Sequence, residues 1–135
     1  MRAVGQTAAG FQVGVQRTVP QEHGAVWRLL VTRADLWLGA GAPHPREAGV
    51  PYRVVDPDGR AAHGEVRVVR TGARIRLTWH PEGCDAPARV EVSLTARHPG
   101  RTVLHVQIDR LPDAGARRRA REHWRAALDR LIAAS

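Results

Sequence analysis

The hydrophobic period changes twice along the chain. From Phe11 to Thr18 apolar and polar side chains alternate, which predicts a strand. Pro20 then suits the first turn of a helix, and Val26, Trp27, Leu29, Leu30 and Val31 share one face of a helix over 21–31. Thr32 is placed to cap a short second helix that runs through Leu38. A Gly/Pro/Ala loop covers 39–49.

Alternation then returns, predicting strands at 50–55, 64–70, 74–80, 88–96 and 102–109. Asp56-Pro57-Asp58-Gly59, Thr71-Gly72, a loop over 81–87 and His98-Pro99-Gly100 separate them. Pro51 marks 50–55 as an edge or a strand start. Ile75, Leu77 and Trp79 fall on one side of their strand, as do Val90, Val92 and Leu94, and Leu104, Val106 and Ile108. Strands that are apolar on one side only imply an antiparallel sheet with one wet face, and the dry face needs a cover. The last segment supplies it. Asp113 is an N-cap candidate, 114–134 contains no proline, and Ala116, Ala120, Trp124, Ala127, Leu128, Leu131 and Ile132 recur at i, i+3, i+4. A helix of ~20 residues is about 30 Å long. The fold class is therefore α+β: a curved antiparallel sheet of about six strands wrapped around a long C-terminal helix, with two short helices after the first strand. Residues 1–10 read as a loose tail and 11–135 as one domain, which suits a chain of 135 residues.

Five stretches in this order resemble the SRPBCC, or START-like, helix-grip superfamily, and within it the branch named after the activator of heat-shock-protein-90 ATPase. They are QRTVPQEHGAVWRLL with Val26-Trp27, ADLWLGAG with Trp37, DGRAAHGEVRVVRTGARIRLTW ending at Trp79, ARVEVSLTARHPGRTVLHVQ, and HWRAALDRL with Trp124. The resemblance spans about 11–132. Relatives commonly place Gly before the final-helix Trp and His three residues earlier; here those positions hold His123 and Ala120. The resemblance implies an elongated cavity between sheet and helix. The superfamily includes lipid carriers, hormone-binding proteins, polyketide cyclases and aromatases, and chaperone co-activators, so it implies a pocket more firmly than a reaction.

Composition then narrows the chemistry. All 21 basic residues are Arg, against 13 acids, giving +8. The absence of Lys looks like the codon usage of a GC-rich genome, which weakens the charge as a sign of a nucleic-acid partner. Arg117, Arg118, Arg119, Arg121, Arg125 and Arg130 make the strongest basic cluster, but no aromatic interleaves them, so base stacking is unsupported. Local pairing of Arg119 with Glu122 and of Arg125 with Asp129 is expected instead. A single cysteine, Cys84, excludes an internal disulfide and fits a reducing, cytoplasmic setting. No apolar run is long enough to span a membrane. No metal or cofactor is expected: the seven histidines form no ligand pair, and His80 with Cys84 and Asp85 is a weak set. Ser93 and Ser135 are the only serines, and GxSxG, GxGxxG and P-loop patterns are missing, so nucleophilic and nucleotide-dependent catalysis are disfavoured.

The expected site is a cavity for a small hydrophobic molecule. Trp27 and Trp37, with the 39–49 loop, are expected to close its mouth. Tyr52, Val66, Leu77, Trp79, Val92 and Leu94 are expected to line it from one part of the sheet, and Leu104, Val106 and Ile108 from the rest. His123, Trp124, Ala127 and Leu131 line it from the helix. The alanines of the helix stripe fill little volume and favour open space there. Two alternatives accompany this reading. One is a co-chaperone-like module that activates a chaperone ATPase. The other is a cyclase or dehydratase working in the same cavity by acid–base chemistry from Tyr52, His63, Asp109 or His123. A monomer or a homodimer fits either.

Overall fold

A computed structural model describes residues 6–7 and 10–135. In chain order it contains β1 (Gln6–Thr7), β2 (Gly10–Val19), α1 (His23–Thr32), a 3-10 helix (Ala34–Leu36), β3 (Pro51–Val55), β4 (Ala61–Arg70), β5 (Arg74–Pro81), β6 (Ala88–Ala96), β7 (Thr102–Leu111) and α2 (Ala114–Ala134). The strands form one antiparallel sheet ordered β1-β2-β7-β6-β5-β4-β3. The architecture expected from the pattern, which the family resemblance implies as a helix-grip fold, is the one observed: six long strands, a long C-terminal helix against the dry face, and two helical pieces after the first long strand. Gln6 and Thr7 add a two-residue strand paired with Phe11 and Gly10; the rest of the 1–10 tail lies outside the described residues.

Strand faces follow the alternation. Ile75, Leu77, Val90, Val92, Leu104, Val106 and Ile108 are all buried, while Arg74, Arg76, Arg89 and Glu91 stand on the other face. There Glu91 pairs with Arg76 at 3.1 Å and Arg74 at 3.7 Å, and Arg89 pairs with Asp109 at 2.6 Å. Thr102 is fully buried, and its hydroxyl donates to Gln21 O at 2.8 Å, tying β7 to the β2–α1 connection. β3 lies at the sheet edge as Pro51 predicts.

The α2 stripe packs as expected through Ala116, Ala120, Trp124, Ala127, Leu128 and Leu131, all buried. Asp113 caps it, accepting from Ala116 N at 2.7 Å. At the other end, Arg130 Nε donates to Leu36 O at 2.7 Å and fastens the helix to the 3-10 turn.

Local expectations at the helix starts are corrected. α1 begins at His23, three residues after Pro20, with Glu22 as N-cap. Thr32 caps nothing; it ends α1, and its hydroxyl bonds back to Arg28 O at 2.6 Å. The second helix is only the 3-10 turn, started by Arg33. β4 starts at Ala61 rather than Gly64, because Ala61 and Ala62 pair with Val55 and Val54 across the Asp56–Gly59 turn. Asp129 does not pair with Arg125. It is taken by Arg17 of β2 at 3.3 Å, across 112 residues of sequence.

Candidate functional site

The helix–sheet gap is closed in the middle and open at one end. In the middle, Trp37 and Trp124 meet with ring centroids 6.2 Å apart, and Trp37 Nε1 donates to Leu30 O at 2.9 Å. The narrow void among Leu30, Trp37, Val92, Val106, Trp124 and Leu131 leaves no room for a water molecule. Two buried indoles opposite β6 and β7 fill the space that alanine leaves elsewhere along α2.

The open end lies between the first half of α2, the C-terminal end of β7, the β5–β6 loop and the turn after β3. Ala116 and Ala120 on α2 face Ala62 of β4 and Ala88 of β6 there, with Leu38, Trp79 and Leu111 as larger walls. Small side chains on both sides cannot span the gap, and a cleft results. Its recess has a cavity volume of about 40 Å³ and opens to solvent at the mouth. Asp56, Arg60, Arg110 and Arg119 rim it.

His123 and Trp79 are its polar furnishing. Their rings stack at 5.0 Å between centroids, and both rings contact Trp124 edge-on, at 5.2 and 5.4 Å. His123 Nε2 and Trp79 Nε1 are buried without a hydrogen-bond partner, as is Trp124 Nε1. His123 Nδ1 lies 3.7 Å from Asp56 Oδ2, beyond hydrogen-bond reach. The Asp56 carboxylate is fixed by its own turn, Oδ1 accepting from Asp58 N at 3.0 Å and Arg60 N at 2.9 Å. Burial pushes the His123 imidazole down to about 4; the Asp56 charge opposes this, and Arg130 and Arg60 reinforce it. The ring is therefore neutral at pH 7, and its contact with Asp56 is not an ion pair there.

Of the residues expected at the ligand, Trp79 and His123 line the cleft. The others are placed elsewhere. Trp37, Val66, Leu77, Val92, Leu104, Val106, Ile108, Trp124, Ala127 and Leu131 are sealed in the core, and Leu94 packs against it half-buried. Tyr52 is buried under β3–β4, donating its hydroxyl to Thr78 O at 2.6 Å, and burial raises its phenol well above the usual range. Trp27 packs half-buried against the core and borders a groove with Arg28, Arg46 and Thr71. The expected closure by Trp27 and the 39–49 loop is corrected: from that whole region only Leu38 reaches the cleft. The loop is instead tied to the sheet edge, Ala40 exchanging both backbone bonds with Val55.

Among the acid–base candidates only His123 is in the cleft. His63 is exposed and stacks on His80 at 4.8 Å, Asp109 is engaged by Arg89 on the outer face, and Tyr52 is bonded within the sheet. His80 Nε2 donates to the Cys84 carbonyl at 2.7 Å, so this pair meets through the backbone and not the thiol. Sequence reasoning missed Ala62, Ala88, Arg110 and Leu111. The signal was available for Ala62 and Ala88, since alanines in otherwise Val- and Leu-rich strands leave space.

The family model for activator of Hsp90 ATPase homolog 1-like proteins matches residues 19–134. No curated protein matches the chain. Solved structures agree on the fold. DynU16, a putative protein of the dynemicin biosynthetic locus, superposes with a TM-score of 0.75 at 24% identity, over 90% of this chain and 45% of DynU16. The AHSA1 protein of Silicibacter pomeroyi gives 0.74 at 19% identity, over 90% of this chain and 95% of its own. The di-domain ARO/CYC protein StfQ of the steffimycin biosynthetic pathway gives 0.67 at 19% identity, over 90% and 44%. The chain thus spans less than half of DynU16 and of StfQ. With the helix-grip sheet, the capped C-terminal helix and a family match over nearly its whole length, this chain belongs to the activator of Hsp90 ATPase homolog 1-like family.

Proposed function

We propose that this protein binds a small, largely apolar molecule in the cleft at the open end of the helix–sheet gap. The observation that carries the reading is the facing of Ala116 and Ala120 with Ala62 and Ala88, which keeps an apolar recess open where a filled core needs larger residues. Of the structural relatives, StfQ belongs to the steffimycin biosynthetic pathway and DynU16 is a putative protein of the dynemicin biosynthetic locus, which agrees with a ring-bearing or acyl ligand. Apolar burial would supply most of the binding energy, at about 25 cal/mol per Å² before the cost of association is subtracted.

The test is quenching of intrinsic tryptophan fluorescence by a panel of small aromatic and short acyl compounds, in the native chain and in Ala120→Leu, which fills the recess without adding a fluorophore. Saturable binding that Ala120→Leu removes is expected. Binding that survives the filled recess, or no saturation by any compound, overturns the reading.

A second reading, acid–base catalysis in the same cleft, is favoured by one observation: His123 is neutral there with Nε2 unbonded. It predicts chemical conversion of a bound compound, seen by mass spectrometry of the binding mixtures and lost in His123→Phe.

A further inference from the structure

We infer that the molecule taken by the cleft carries a carboxylate on its apolar body, held at the mouth by Arg110 with Arg119 and Arg60. This rests on the ligand-binding reading above and names its ligand class.

The first observation is the backbone at Arg110. Phe11 pairs with Leu111 and Val13 with Ile108, so three steps of β7 run opposite two steps of β2. β7 therefore carries a bulge of one extra residue between Ile108 and Leu111. Leu104, Val106 and Ile108 alternate inward, and the next inward place would fall to position 110. The bulge gives that place to Leu111, which is buried, and leaves Arg110 exposed on the cleft rim. Arg110 has φ +64, the only non-glycine residue with positive φ among the described residues. Glycine is the ordinary choice there, since an L side chain crowds its own carbonyl in this region. A strained arginine at the lip of a cleft points to a use for its side chain.

The second observation is the charge balance of the mouth. Three arginines, Arg60, Arg110 and Arg119, are among the residues that line the cleft, against one acidic residue, Asp56. The Asp56 oxygens already face the Asp58 and Arg60 amides and His123. On the outer sheet face Arg74, Arg76 and Arg89 have acidic partners, whereas the three mouth arginines have no ion-pair partner among the described residues. His123 is neutral, so cationic charge is concentrated at the rim and not in the recess. This arrangement suits an apolar body inside and an anionic end outside. A planar guanidinium matches a carboxylate with two parallel hydrogen bonds.

Calorimetric titration at pH 7.5 and low salt tests this, with octanoate against octan-1-ol and 2-naphthoate against 2-naphthalenemethanol. The carboxylate of at least one pair is expected to bind about tenfold tighter than its alcohol, with the preference shrinking as salt is added. Arg110→Gly is expected to cut the preference below about threefold. Its melting temperature is expected to stay level or rise, since glycine relieves the backbone. Arg119→Gln, on the exposed side of α2, is expected to weaken carboxylate binding severalfold, and decides the matter if Arg110→Gly does not fold. Alcohols that bind as tightly as carboxylates overturn the carboxylate inference and leave the cleft reading standing. A carboxylate preference that both variants keep overturns the assignment to these arginines. No binding by either member of both pairs counts against the cleft reading itself.

Discussion

His123 and Trp79 stack at 5.0 Å between ring centroids, one from α2 and the other from β5, and each buries a nitrogen without a hydrogen-bond partner. This contact joins helix to sheet where the gap opens. It also means that the titration of His123 is felt by the fold.

The pH dependence has a definite sign. The folded chain holds His123 down at about 4, below the ordinary 6.5, so the neutral ring is the form the fold favours. Its contribution is fully present above about pH 6.5 and is lost as pH falls towards 4. The loss is about 3 kcal/mol across that window. Urea unfolding at pH 7, 5.5 and 4 should show this decline, and His123→Phe, which keeps a ring against Trp79, should flatten it. An equally steep decline in His123→Phe would mean that other groups carry it.

Gly64 is needed by its neighbour across the β3–β4 ladder. Tyr52 pairs with Gly64, and a Cβ at 64 would meet Tyr52 Cε2 at 2.8 Å and the Thr78 carbonyl group at least as closely. The carbonyl is backbone and already accepts from the Tyr52 hydroxyl. Gly64→Ala is expected to cost about 3 kcal/mol or more, read as a lower urea midpoint at unchanged slope. A loss under about 1 kcal/mol would show that the strand pair yields easily.

Trp124 is fully buried between Trp37 and Trp79. Trp124→Ala is expected to cost about 3–5 kcal/mol through lost burial and an unfilled cavity. Trp124→Phe should cost less, because it also removes an indole N–H that has no partner. Comparing the two unfolding curves checks this, and equal losses would contradict it.

Much of the fold was legible because it depends on period. Ile75, Leu77, Val90, Val92, Leu104, Val106 and Ile108 are buried as alternation predicts, and Ala116, Ala120, Trp124, Leu128 and Leu131 as the helical spacing predicts. The Asp113 cap was legible because its chemistry is local. Thr32 was misread because a threonine hydroxyl serves a helix start or bonds back to its own last turn equally well, and α1 runs on to include it. The Asp129 partner was misread because a residue four positions away on the helix had to compete with Arg17, which only the sheet brings near.

The candidate site divides the same way. That an apolar sheet face meets an alanine-rich helix follows from residue order alone, since both facts are periodic and local. Tertiary structure alone decided where along that contact the space opens. Trp37 and Trp124 close the middle, while Ala62 and Ala88, distant in sequence, come opposite Ala116 and Ala120 at one end. Arg110 reaches the mouth only because of a one-residue bulge against β2, a mismatch that exists between two strands and in neither alone. Cavities and charge at a rim are properties of which side chains fail to meet, and no single segment records that.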